Sequence, residues 1–196
     1  MPSDPNEAAG AGAKANASLR MMLRAGTRIE HELTEQAFEA FDVATSAGLH
    51  RFLLAHRMAL ETARSRTGSD ARAGQEIAFM LDLIRTDLAS LGDSAVLPID
   101  ISDSTPLHPM GVRYVLLGSR LGSQILAERV STSPEKNLQS AGTYVSDRTL
   151  LPAWKSLLQT LEGADAAAQE GDIRMSAAET FKLFRDAAEK VRQAVL

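Results

Sequence analysis

The 196-residue chain has no cysteine, an absence that removes disulfides, thiolate metal sites and thiol nucleophiles together and suits a reducing compartment. It also lacks any apolar run approaching the roughly 18 residues that a membrane span needs. The opening stretch "MPSDPNEAAGAGAKANAS" contains no apolar segment of the kind that directs secretion. A cytoplasmic protein with no membrane partner is therefore expected. A basic excess is missing too, since 21 Lys and Arg stand against 25 Asp and Glu, for a formal charge of −4. No basic run carries interleaved aromatics, so nucleic acid is not an expected partner. Alternating β-branched runs are absent as well, and strands are not expected. Without cysteine, the strong nitrogen ligands are His31, His50, His56 and His108. No hydrolase triad, phosphate-cradling loop or Glu-x-x-His pair stands among them.

What remains is helical periodicity. The hydrophobic share of 44% is ordinary for a globular core. Residues 1–16, rich in Pro, Gly, Ala and polar groups, have no periodicity and read as a mobile tail. Residues 17–196 read as a single all-α domain, because every linker is too short to separate distinct cores. A first helix is expected over 18–41, with Gly26 able to bend or break it and Leu19, Leu23, Thr27, Leu33, Phe38 and Phe41 available for burial. A second follows Ser46, with Leu49, Phe52, Leu53, His56 and Leu60 on one stripe. The third carries Ile77, Met80, Leu81, Ile84, Leu88 and Leu91 and stops at Gly92. A connection over 93–107 leads to a fourth over 109–130. Beyond Pro134, "NLQSAGTYVSDR" is only partly helical in pattern. One helix is expected around Trp154–Leu161, and the last is expected from Ser176, where "SAAE" matches a capping box.

Two constellations carry chemistry. Glu35 follows His31 by four residues, one turn along a helix, where a carboxylate holds an imidazole directly or through water and favours its neutral, ligating tautomer. A surface pair is the plainer reading of that spacing. In "YVLLGSRLGSQIL", Gly118 and Gly122 sit one turn apart on one face, each costing about 1 kcal/mol against alanine. Bare backbone of this kind serves either close packing of another helix or a flat ligand laid against the helix. With a flat ligand, Ser119 and Ser123 would support waters or hydrogen bonds beside it. His50, His56 and His108 have sufficient structural accounts, with His56 read as a satisfied histidine on the inner stripe. Asp87 is read as a local cap or pair.

The blocks "LRAGTRIEH", "IRTDLASLG", "HPMGVRYVLLGSRLGSQIL" and "AAETFKLF", in that order from about residue 19 to 190, resemble the heme oxygenases, most closely the bacterial type associated with bacteriophytochromes. The resemblance implies an all-helical fold that sandwiches heme, with iron bound by His31 on the first helix and the glycine-bearing helix lying distal. It implies cleavage of heme by O2 and reducing equivalents to biliverdin, CO and ferrous iron, with a ferredoxin, flavodoxin or reductase as electron donor. Glu35 falls at a carboxylate position behind the ligand, Gly118 and Gly122 match the distal glycines, and Ser119 matches a position that tunes the distal waters. Arg24 matches a propionate contact and Lys155, beside Trp154, another; Arg113 is a third candidate from charge and placement. Two departures stand out. Leu117 replaces a carboxylate in "YVLEGS", and Ser123 replaces a third distal glycine, so heme binding without turnover, as in a carrier or sensor, or another ligand on the same fold, is the alternative expectation.

Overall fold

Capping and stop signals place most of the helices. In the computed structural model, which describes residues 18–92 and 105–194, Ser18, Thr45 and Asp70 each turn a side-chain oxygen onto the backbone N–H three residues ahead and open a helix. The elements are α1 Leu19–Gly26, α2 Arg28–Phe38, α3 Ser46–Arg66, α4 Ala71–Ser90, α5 Pro109–Ser131, a 3-10 turn Lys136–Ser140, α6 Thr143–Ser146, α7 Leu151–Leu161, α8 Ala164–Ala168 and α9 Glu170–Gln193. Among the described residues there is no strand, so the fold is all-α. Gly68 and Gly92 follow α3 and α4 with φ of +63° and +81°, a conformation that glycine adopts without a Cβ penalty. The expected tail, 1–16, and residues 93–104 of the expected connection lie outside the described residues.

Long α9 is the hub, packing on α3, α5, α2 and α1. Buried side chains fall into two clusters. The larger joins α3, α4 and α5 to the second half of α9 through Leu53, Leu60, Ile77, Ile84, Leu116 and Phe184. The smaller gathers Leu19, Leu23, Leu117, Leu157, Leu161 and Phe181 around α1, α7 and the first half of α9. Each fully buried Leu or Ile contributes roughly 1.5–3 kcal/mol of transfer free energy. Close approach of α5 to α9 rests on Gly111, where a Cβ would lie 2.4 Å from the Ile173 carbonyl oxygen.

Some expectations hold and others are corrected. The first helix does break beside Gly26, where α1 ends and Thr27, with φ of −107°, turns its hydroxyl back onto the Leu23 carbonyl at 2.8 Å. Leu33, expected among the buried residues, is exposed. The last helix starts at Glu170, so "SAAE" is interior to it. Ser176 is buried and its hydroxyl accepts the His108 N–H at 2.8 Å, tying α9 to the start of α5. Asp87 pairs at long range instead of locally, accepting the N–H groups of Thr143 at 3.0 Å and Tyr144 at 2.7 Å. The segment after Pro134 is partly helical as expected, forming the 3-10 turn and α6.

Candidate functional site

The helix α2 places His31 and Glu35 one turn apart, with imidazole Nδ1 3.4 Å from the carboxylate. The ring stands edge-on to Phe181 of α9, centroids 5.4 Å apart, and is half exposed. It faces a cleft of about 500 Å³ whose other wall carries Gly118, Ser119, Gly122 and Ser123 of α5. Such a volume falls within the range of sites that take small ligands and cofactors. His31 and the glycine pair, far apart in the chain, thus border one space.

The glycines are not explained by helix packing. A Cβ on Gly122 would meet nothing within 4 Å, and one on Gly118 would touch the Trp154 ring at an ordinary 3.5 Å. The close helix contact falls instead to Gly111, which the glycine spacing did not single out. Ser119 and Ser123 each donate a hydroxyl to the carbonyl three residues back, Leu116 and Arg120 respectively. Each hydroxyl keeps acceptor capacity. Leu117 is fully buried in the α1, α7 and α9 cluster and does not border the cleft, so its side chain does not set the polarity there.

The expected carboxylate anchors are not brought to this space. Arg113 is buried and spends two guanidinium N–H groups on Glu76, both at 2.7 Å. Its position is a structural ion pair, and the propionate assignment is corrected. Arg24 is exposed on α1 toward Tyr114, and Lys155 is exposed on α7; neither borders the cleft. The cations that do are Arg120, which is buried, and Arg129, which pairs with Asp42 at 2.7 Å. Glu35 and Glu39 lie on the same rim.

The floor holds His56, satisfied within the fold as its stripe position implied, together with Tyr144 and Arg120, which sequence reasoning passed over. His56 sits among Phe52, Phe38 and Phe184, with centroids 4.2, 4.9 and 5.0 Å away. Its Nδ1 lies 2.9 Å from the Tyr144 hydroxyl. Burial first, and then the charge of Arg120, pull the His56 pKa down to about 3, while burial pushes the Tyr144 phenol up. Arg120 spans this corner, donating to the Tyr144 carbonyl with its guanidinium 4.6 Å from the centre of the Tyr144 ring. His56 stood on a legible stripe, but nothing in the pattern could pair it with a tyrosine 88 positions on.

Among the described residues, no group of three or more His, Asp or Glu is arranged to hold a bare metal ion. A single imidazole such as His31 suits a metal that arrives with its remaining ligands already in place. The cleft therefore has features that suit heme, a nitrogen ligand, aromatic walls and bare backbone at Gly122, and departs from it in that its two cations, Arg120 and Arg129, already have partners within the protein. No family model matches the chain, and no curated protein does so either. No described helix is long and apolar enough to cross a membrane.

Proposed function

We propose that the chain binds heme in the cleft between α2 and α5 and acts as a heme oxygenase in the cytoplasm, yielding biliverdin, CO and ferrous iron with an external electron donor such as a ferredoxin, flavodoxin or reductase. The observation that carries the reading is that His31 and Gly122, whose side-chain position meets no protein atom within 4 Å, border the same aromatic space. When bound, heme supplies the site for O2 activation and is itself the substrate. His31 would hold the iron from α2, with Glu35 orienting the imidazole through Nδ1. Bare backbone at Gly122 admits a ring close to α5, and the Ser119 hydroxyl retains lone pairs for an ordered water. Phe38, Phe52 and Phe184 line the inner end and would shield a bound ring from bulk water.

Titration with hemin, followed by a reducing system in air, tests this. A Soret band that gives way to biliverdin absorption is expected. His31→Ala should abolish the band or weaken binding at least tenfold, and Gly122→Leu should block uptake while leaving the fold intact. An unchanged spectrum in His31→Ala would refute the ligand assignment.

One observation favours a second reading. Arg24, Arg113 and Lys155 lie away from the cleft, and Glu35 and Glu39 border it, an arrangement that serves a carrier or sensor, or a ligand with fewer carboxylates. A Soret band that persists under reductant and air would select this alternative.

A further inference from the structure

The four-residue helix α6 is held at both ends by charged side chains from other helices. Asp87 of α4 accepts the N–H groups of Thr143 and Tyr144 at its start. Arg120 of α5 donates to the carbonyls of Tyr144 and Asp147 at its end. Asp87, Arg120 and Tyr144 are all buried, and burying charge is costly unless every group is paired. Of the two α6 residues that border the cleft, Tyr144 and Val145, Tyr144 brings the polar group, a phenol placed 2.9 Å from His56 Nδ1.

The direction of that hydrogen bond follows from counting donors. Tyr144 is buried, and its hydroxyl faces two side chains, the Arg120 guanidinium, which can only donate, and His56 Nδ1, which alone can accept. Were Nδ1 protonated, it would donate to the phenol oxygen and strand the phenol proton without an acceptor. The phenol therefore donates and Nδ1 accepts. On a neutral imidazole the ring proton then sits on Nε2. Nε2 has no partner among the described residues, none of whose buried polar side-chain atoms is left unsatisfied, and His56 borders the cleft. Nε2 is thus open to that space.

We propose that His56 is a fixed hydrogen-bond donor, held by Tyr144, that presents Nε2–H to an oxygen acceptor of the bound ligand in an otherwise aromatic floor. The identity of the ligand rests on the heme reading; the donor geometry does not. Two sources supply such an oxygen, a diatomic bound to heme and the lactam carbonyl of an open-chain tetrapyrrole. His56 is a positioning and recognition residue in either case.

The test uses the full chain, with His56→Phe, which keeps an aromatic ring among aromatic neighbours, and Tyr144→Phe, which frees Nδ1. Imidazole 15N NMR of the free wild-type protein should show His56 as the Nε2–H tautomer, and Tyr144→Phe should mix the tautomers. A wild-type Nδ1–H tautomer would overturn the donor assignment whatever the ligand proves to be. In the ferrous CO complex, loss of a donor should raise the C–O stretching frequency in His56→Phe if the diatomic is the acceptor. Biliverdin affinity should fall roughly three- to tenfold in the same variant if the lactam is the acceptor. If hemin still binds through His31 and neither quantity moves, the inference fails and the heme reading stands. If the wild type takes up neither hemin nor biliverdin, the heme reading and the ligand assignment fail together, and the tautomer alone judges the donor.

Discussion

Arg113 and Glu76 bury a full positive and a full negative charge, which the interior tolerates because two parallel N–H···O contacts of 2.7 Å satisfy both groups. Removing one partner strands the other. Arg113→Met or Glu76→Gln should therefore cost about 3–5 kcal/mol in urea unfolding, and the Arg113→Met/Glu76→Leu double variant should recover much of the loss. A pair that contributed only on the surface would show single-variant costs below about 1 kcal/mol. His56 makes a prediction in pH. The folded protein keeps it neutral down to about 3, whereas the unfolded chain protonates it near 6.5. Between those values the unfolded state binds more protons, so stability is full above pH 6.5 and declines as pH falls through the window. Wild type should lose roughly 1–3 kcal/mol more than His56→Phe between about pH 7 and 4. Parallel stability curves for the two proteins would contradict an imidazole held neutral by the fold.

Glycines within α5 separate two roles that the sequence presents alike. Gly111 lies against the α9 backbone, and a Cβ there would sit 2.4 Å from the Ile173 oxygen and 2.8 Å from the Ala177 nitrogen. Gly111→Ala should push the helices apart and cost about 1–3 kcal/mol or more by thermal unfolding. At Gly122 the added methyl meets open space, so Gly122→Ala should stabilise the free protein by about 0.5–1 kcal/mol through helix propensity, while weakening hemin binding. Unchanged or tighter hemin binding in that variant would remove the glycine face from the site. This contrast also explains what could be read beforehand. Helices α3, α4 and α5 were legible because Asp70, Gly92 and Pro109 mark boundaries locally and their apolar stripes face one core. The start of α9 was not, because Ser176 resembles a cap by composition and is claimed instead by His108, 68 positions away. The whole of α6 likewise depends on partners that local pattern does not reveal, being pinned by Asp87 and Arg120.

Across the whole molecule, anchoring is uneven, and the unevenness falls on the candidate site. The wall formed by α5 sits in both buried clusters, and α3 behind the floor buries Leu49, Leu53, Leu54 and Leu60 completely. By contrast α2, which carries His31, has no fully buried residue. It rests on α9 through the Thr34 hydroxyl donating to the Phe181 carbonyl at 3.1 Å, the Arg185–Glu30 pair and the edge of the Phe181 ring. His31 and the glycines were legible as two motifs, but the space between them is made by α9, whose Phe181 and Phe184 line it from a third direction. A helix with so little buried apolar area opens at small free-energy cost. A ligand that bonds to His31 and lies against α5 would bind only the closed arrangement and stabilise it by mass action, by about 2.7 kcal/mol at a hundredfold excess over Kd. Hydrogen exchange should therefore find the α2 amides fast and those of α3 slow in the free protein. Saturating hemin should slow α2 by roughly a hundredfold, and His31→Ala should cancel that protection while leaving α3 unchanged. If α2 is already as protected as α3 without ligand, then the wall bearing His31 is not the weakly held element that its packing describes.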